Sequence, residues 1–154
     1  MTGLLQNVIL YVVVIAIIVV GFKFYKNSSQ AVIDPTDRSM LPAYPYGSYK
    51  LDTSLVKTSD LKPGDVVSYW LTNAPSTYRV ARVVALEGDR IEIADGLVKI
   101  NGVASPYRLD QPDRRFPEVK VPRGCVYLLC EASAAGVDSI KLGPVPFYQV
   151  IGRL

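Results

Sequence analysis

The sequence contains no histidine. That excludes Ser-His and Cys-His catalysis and any metal site built on imidazole within this chain. Cysteine is scarce: only Cys125 and Cys130 occur. Five residues apart in an apparent strand, they point to opposite faces and are poorly placed for a local disulfide. Two small hydrophobes is the simplest account of them. Long runs of one charge are also missing. With 17 Lys and Arg against 14 Asp and Glu, the net charge is +3 and is spread out, leaving no electrostatic footprint for nucleic acid. No residue cluster asks for a cofactor or a metal.

What is present begins with an apolar run at residues 8–22, extended back to Leu4 across Gln6 and Asn7. It approaches the roughly 20 residues that span a bilayer core. A cleaved leader is the poorer reading: the run is long, no basic residue precedes it, and no small-x-small site follows it. The sequence therefore predicts a transmembrane helix and anchor over residues 1–26. Lys23, Phe24, Tyr25 and Lys26 stand as interfacial residues. A polar linker follows at 27–30, and then a β domain at 31–154. Eleven Gly and eleven Pro, dispersed along the chain, suit a mainly β domain with many turns.

Residues 78–91 read Tyr-Arg-Val-Ala-Arg-Val-Val-Ala-Leu-Glu-Gly-Asp-Arg-Ile. The nearly continuous, β-branched apolar run predicts a strand buried on both faces, closed by Glu87-Gly88-Asp89 turn chemistry. Ile91–Gly102 carries two hairpin signals, Asp95-Gly96 between alternating strands and Asn101-Gly102 after them. Pro63-Gly64-Asp65 feeds another alternating strand, and 31–33 is a short strand candidate. Residues 106–117 are polar and irregular, and read as a solvated loop.

Several of these segments resemble the type I signal peptidase family, peptidase S26. The run from Arg82 to Asp89 is similar to the form in the mitochondrial inner membrane peptidases, and Val121-Pro122-Arg123-Gly124 resembles their second subunit. Ser39-Met40-Leu41-Pro42 matches the family's nucleophile motif, and Gly64-Asp65-Val66-Val67 its Gly-Asp-Val-Val box. Gly143-Pro144-Val145 and the closing Gly152-Arg153 also match. The resemblance implies a signal-peptidase-like (LexA-like) β domain preceded by a single N-terminal transmembrane helix. It places Ser39 at the nucleophile, on a tight exposed turn with its backbone N–H free to meet an oxyanion.

The same resemblance marks departures. Ala81 stands where the family has its catalytic lysine. A Ser-Lys dyad needs a buried amine of lowered pKa, which alanine lacks and the flanking Arg79 and Arg82 cannot supply. Gly136 replaces the serine that supports that lysine, and Cys130-Glu131 replaces a Gly-Asp pair. Asp37 occupies a position usually held by Gly or a hydroxyl residue, where an ionised carboxylate would repel an oxyanion. Lys141 is the nearest lysine within a motif, and reads as a surface residue after a turn.

These losses point to a catalytically inactive, membrane-anchored protein, a structural or accessory subunit of an inner-membrane complex. Its partners would be membrane lipid and other membrane-protein subunits, an active signal-peptidase homologue among them. The alternative is an active serine endopeptidase removing sorting or signal peptides, with Ser39 as nucleophile and a lysine from elsewhere. A third reading keeps the old groove as a peptide-binding module. The resemblance implies the mitochondrial inner membrane with the β domain in the intermembrane space, or a bacterial plasma membrane. Lys23 and Lys26, read by the positive-inside rule, argue for the opposite orientation.

Overall fold

The computed structural model describes residues 2–26, 29–132 and 134–154; the side chains at 2–5, 23–26, 75 and 76 lie outside that description. The linker residues Asn27 and Ser28 and the side chains of Lys23, Phe24, Tyr25 and Lys26 thus fall outside it. Helix α1 (Thr2–Lys26) leads into eleven strands and one short helix. The strands are β1 (Gln30–Ile33), β2 (Gly47–Lys50), β3 (Val66–Leu71), β4 (Ala74–Ala85), β5 (Arg90–Ala94) and β6 (Leu97–Ile100). They continue as β7 (Val103–Arg108), β8 (Phe116–Lys120), β9 (Cys125–Leu129), β10 (Val145–Pro146) and β11 (Val150–Arg153), with α2 (Ser139–Leu142) before β10.

Among the described residues no helix is long and apolar enough to cross a membrane. Helix α1 as a whole runs 25 residues, a rise of about 37 Å at the α-helical 1.5 Å per residue. The helix expected over residues 1–26 is present as α1. From Val8 to Phe22 its large side chains are exposed on every face, so it has no stripe to lay on the β domain.

The strands form three antiparallel sheets: β1-β2, β10-β9-β4-β3-β11 and β7-β6-β5-β8. Strand β4 is buried as its composition predicts, and its side chains reach three separate cores. Val80 packs with Ile33, Met40 and Val66. Ala81 and Val83 join Val67, Tyr69, Val126, Leu128 and Cys130. Val84 and Ala85 join Ile91, Ile93, Val98, Tyr127 and Leu129. A register shift against β9 between Val83 and Ala85 lets two successive side chains, Val84 and Ala85, enter the same core.

Both hairpins form as expected. Asp95 and Gly96 have φ of 52° and 72°, the paired left-handed conformation that suits a two-residue turn between twisted strands. The 106–117 segment is less irregular than its composition suggests. Its start belongs to β7 and its end to β8, and Leu109 is buried. The alternation there is masked because β8 is an edge strand with polar exposed positions.

Candidate functional site

Ser39 lies between β1 and β2, at the end of a turn built by short carboxylate side chains. Asp34 Oδ1 accepts from Thr36 N at 2.8 Å and from Thr36 Oγ1 at 2.6 Å, and Asp34 O accepts from Asp37 N at 2.9 Å. Asp37 repeats the arrangement, its Oδ1 accepting from the Ser39 backbone N–H at 2.9 Å. Both are Asx turns, a structure these side chains favour because they copy a backbone acceptor. Asp37 is also paired with Arg79 of β4, Oδ2 to Nη1, at 3.8 Å.

This corrects the expected geometry. Ser39 is only 2% exposed, and its N–H donates to Asp37 instead of standing free for an oxyanion. Its carbonyl accepts from Ala132 N at 2.9 Å. Met40 beside it is buried in the core with Ile33, Val66 and Val80, which fixes the turn to the sheet. The Leu41–Pro42 peptide is cis.

The hydroxyl of Ser39 meets a thiol. Burial pushes the Cys130 thiol up to about 12, and the neighbouring Ser39 side chain offsets this only in part. Asp138, Asp37 and Lys141 act on the same thiol through space. At ordinary pH Cys130 is therefore a protonated thiol, and its Sγ lies 4.0 Å from Val80 O. Cys125 and Cys130 are both free thiols, the first half-buried and the second buried.

Gly136 explains how a cysteine fits here. A Cβ at this glycine would lie 2.3 Å from Cys130 Sγ, 2.6 Å from Cys130 Cβ and 3.3 Å from Ser39 Cβ. The Cys130 side chain occupies the volume that a residue-136 side chain needs. Ala81 completes the wall: it is 0% exposed, in the same core as Cys130 and Tyr69. Tyr69 donates its O–H to Val137 O. Burial, above all, raises its phenol well beyond the ordinary range.

Asp138 is buried, accepts from Cys130 N and Ile140 N at 3.0 Å each, and caps α2. Burial raises its carboxyl above the usual range, outweighing those hydrogen bonds and the attraction of Lys141. A carboxyl raised on folding contributes most below its unfolded pKa of 3.8, and loses that contribution as pH rises through the folded value. Asp138→Asn keeps a capping oxygen and removes the titration. Its stability relative to the parent should therefore improve from pH 4 to pH 7.5 in urea unfolding; a steady or worsening difference overturns this account.

Lys141 stands in α2 and is exposed, with Nζ donating to Gly136 O at 2.5 Å. Arg82, next to Ala81, binds Glu131 Oε1 through Nε at 2.8 Å and Nη2 at 2.5 Å, and Gly64 O at 2.8 Å. It ties β4 to the loops and points no free charge at Ser39. The structure thus brings together Ser39, Asp37, Cys130 and Gly136, with Ala81 behind them. Sequence reasoning missed the link from Cys130 to Ser39. The Asp37 contact was detectable, because Asp-x-Ser is an Asx-turn signature.

A groove of about 600 Å³ runs beside the serine turn. Ala31, Val32, Ile33 and Asp37 line it together with Tyr78, Arg79 and Val80, and Trp70 and Ile151 also contribute. Leu51 N donates to Ser29 O at 2.8 Å, so residues 29, 31 and 33 hydrogen-bond to β2 while the main-chain groups of Gln30 and Val32 turn outward. Opposite them, β9 pairs with β4 from Arg82 onward, leaving 78–80 without a strand on that side among the described residues.

A three-sheet β fold with a serine turn set against a buried central strand defines a peptidase-like class. The sequence profile of the family described as signal peptidase, peptidase S26 matches residues 4–154, and the chain belongs to that family. Over 76 residues, 48% of this chain, it is 34% identical to the probable thylakoidal processing peptidase 2, chloroplastic, of Arabidopsis thaliana, covering 21% of that protein. It is 32% identical over 76 residues to the probable signal peptidase I-1 of Synechocystis sp., covering 39% of it. The chain thus spans well under half the length of these relatives. A signal peptidase I crystal structure from Enterococcus faecalis V583 matches at TM-score 0.55 and 20% identity, covering 66% of this chain and 99% of that one. That likeness concerns the fold.

Proposed function

We propose that this chain is a signal-peptidase-like protein that no longer hydrolyses peptides, held at a membrane by α1 and acting as a non-catalytic partner of other membrane proteins. The observation that carries the reading is the state of Ser39. Its N–H is taken by Asp37 and its hydroxyl faces the Cys130 thiol, with Ala81 at the position read as the family lysine. A serine nucleophile needs a base within hydrogen-bond reach and a donor for the oxyanion. Lys141 is held at Gly136 O, Arg82 is bound to Glu131 and Gly64 O, and Arg79 is paired with Asp37.

The full chain in detergent should therefore leave a signal-peptide-bearing precursor uncut, at the same background as Ser39→Ala. Cleavage by the parent that disappears in Ser39→Ala would overturn the proposal and favour an active peptidase supplied with a lysine from elsewhere.

The groove supports a second reading, in which the protein holds an extended segment without cutting it. Outward-facing main-chain groups on Gln30 and Val32, across from the strand-free edge at 78–80, can pair with such a segment on both sides. As to location, the relatives named are plastid and cyanobacterial proteins. They are compatible with a bacterial plasma membrane as the proposed site.

A further inference from the structure

A second cavity, of about 270 Å³, lies between the segment that joins β7 to β8 and helix α2, and shares no lining residue with the groove beside the serine turn. Its lining divides by burial. Leu109 is buried in the core with Ile93 and Val98, and Phe116 and Ile140 pack against that core. Arg114 and Lys141 are exposed, and Gln111 is half-buried beside them. Among the described residues no carboxylate lines this cavity.

The two cations keep donors to spare. Arg115 is paired with Asp95 at 2.6 Å, but among the described residues no carboxylate pairs with Arg114. Lys141 Nζ gives one bond, to Gly136 O at 2.5 Å, which leaves two of its three N–H groups. The backbone that carries Arg114 is fixed beforehand. Arg114 O accepts from Gly96 N at 3.2 Å, Arg114 N donates to Gln111 O at 3.3 Å, and Leu109 N donates to Gly96 O at 2.9 Å. A Cβ at Gly96 would meet Pro112 Cα at 2.9 Å, so the segment lies directly on the Asp95-Gly96 turn. A binding group held this way costs little further ordering when a ligand arrives.

These groups select a ligand by where it carries its charge. A carboxylate matches the planar guanidinium fork and takes a further bond from the ammonium. Hydrocarbon attached to it can displace water from Leu109, Phe116 and Ile140. Inorganic phosphate has no apolar side, and would set hydrated oxygens against those side chains without donors. The volume is below the roughly 300–1,000 Å³ of sites for drug-sized ligands, so the occupant is small or is the end of a chain.

We infer that this cavity binds a carboxylate bearing a short apolar group, with Arg114 and Lys141 on the carboxylate and Leu109, Phe116 and Ile140 on the hydrocarbon. A free short-chain acid and the C-terminal residue of a peptide both present that chemistry. The inference stands whether or not Ser39 hydrolyses peptides. It gives Lys141 a task apart from the serine: its ammonium joins the cavity to Gly136 O, and Gly136 abuts Cys130 and Ser39.

The full chain in a non-ionic detergent is titrated calorimetrically with isocaproate, N-acetylleucine, N-acetylleucinamide and inorganic phosphate, each against detergent alone. The expected result is saturable binding of at least one of the two acids. The amide and phosphate should bind at least about tenfold more weakly, the scale of one charge-assisted hydrogen bond. Tighter binding of isocaproate assigns a free acid, and tighter binding of N-acetylleucine assigns a peptide end. Arg114→Gln removes an exposed side chain with no described partner, so it should weaken the bound acid about tenfold or more and leave the urea midpoint where it was. Lys141→Gln should weaken it on the same scale. No heat beyond that of detergent alone with either acid overturns the inference. Equal binding of N-acetylleucine and its amide would show an apolar crevice, and equal binding of phosphate a bare anion site; either overturns it. Unchanged affinity in both variants would put the acid elsewhere on the molecule, and overturns it too.

Discussion

Gly136→Ser destabilises this protein by about 3 kcal/mol or more, and Cys130→Gly in the same chain recovers much of that loss. The expectation follows from a contact that cannot exist. A Cβ at 136 would sit 2.3 Å from Cys130 Sγ and 2.6 Å from Cys130 Cβ. Neither atom belongs to a flexible tip, because Cys130 is packed in a core with Tyr69, Val83 and Leu128. Overpacking a tight core by an atom or two costs roughly 1–3 kcal/mol, and a serine adds a hydroxyl as well. Cys130→Gly removes the obstacle at the price of a small cavity beside Ser39, so it should destabilise modestly by itself. The double variant should then fall well short of the sum, with a coupling near 2 kcal/mol, within the range for residues in direct contact. Urea unfolding of the four proteins in detergent measures it. Additive effects would show that 130 and 136 do not compete for one space.

The second large effect concerns Ala81. Ala81→Lys should lower stability by roughly 3–5 kcal/mol, the scale of an uncompensated buried charge, and still produce no cleavage. The residue is fully enclosed, opposite Val67 in the β3–β4 register, in the core with Tyr69 and Cys130. At about 2–4 °C per kcal/mol for a chain of this size, melting should fall by about 6–20 °C. An amine introduced at 81 leaves the Ser39 N–H on Asp37 and the hydroxyl beside Cys130. Ser39-dependent cleavage of a precursor should appear only when Asp37→Gly, Cys130→Gly and Gly136→Ser accompany Ala81→Lys. Cleavage by the single variant would show that the Asp37 and Cys130 contacts yield by themselves, and that an amine at position 81 is all the site wants.

The fold was largely legible because its signals are local. The β-branched run at 80–85 could only be a buried strand, and Asp95-Gly96 and Asn101-Gly102 demanded left-handed turns that the backbone adopts. Strand β8 was hidden because an edge strand does not need the alternation that burial imposes. The apolar run was visible, and the helix α1 forms over it. The site was half legible. Ala81, Gly136 and Asp37 stood out as departures from a pattern. What the chain did with the vacated space depended on contacts between residues 39, 130 and 136, which no local rule connects.

The serine turn carries a wider lesson through its carbonyl. Ser39 O receives the Ala132 N–H, its N–H closes the Asp37 turn, and Met40 fills a core with β1, β3 and β4. Selection for a folded domain alone would keep Ser-Met-x-Pro in place, whether or not the chain hydrolyses peptides. In a genome, that tetrapeptide marks an inherited architecture, and the trade practised on it has to be read from the neighbours it touches.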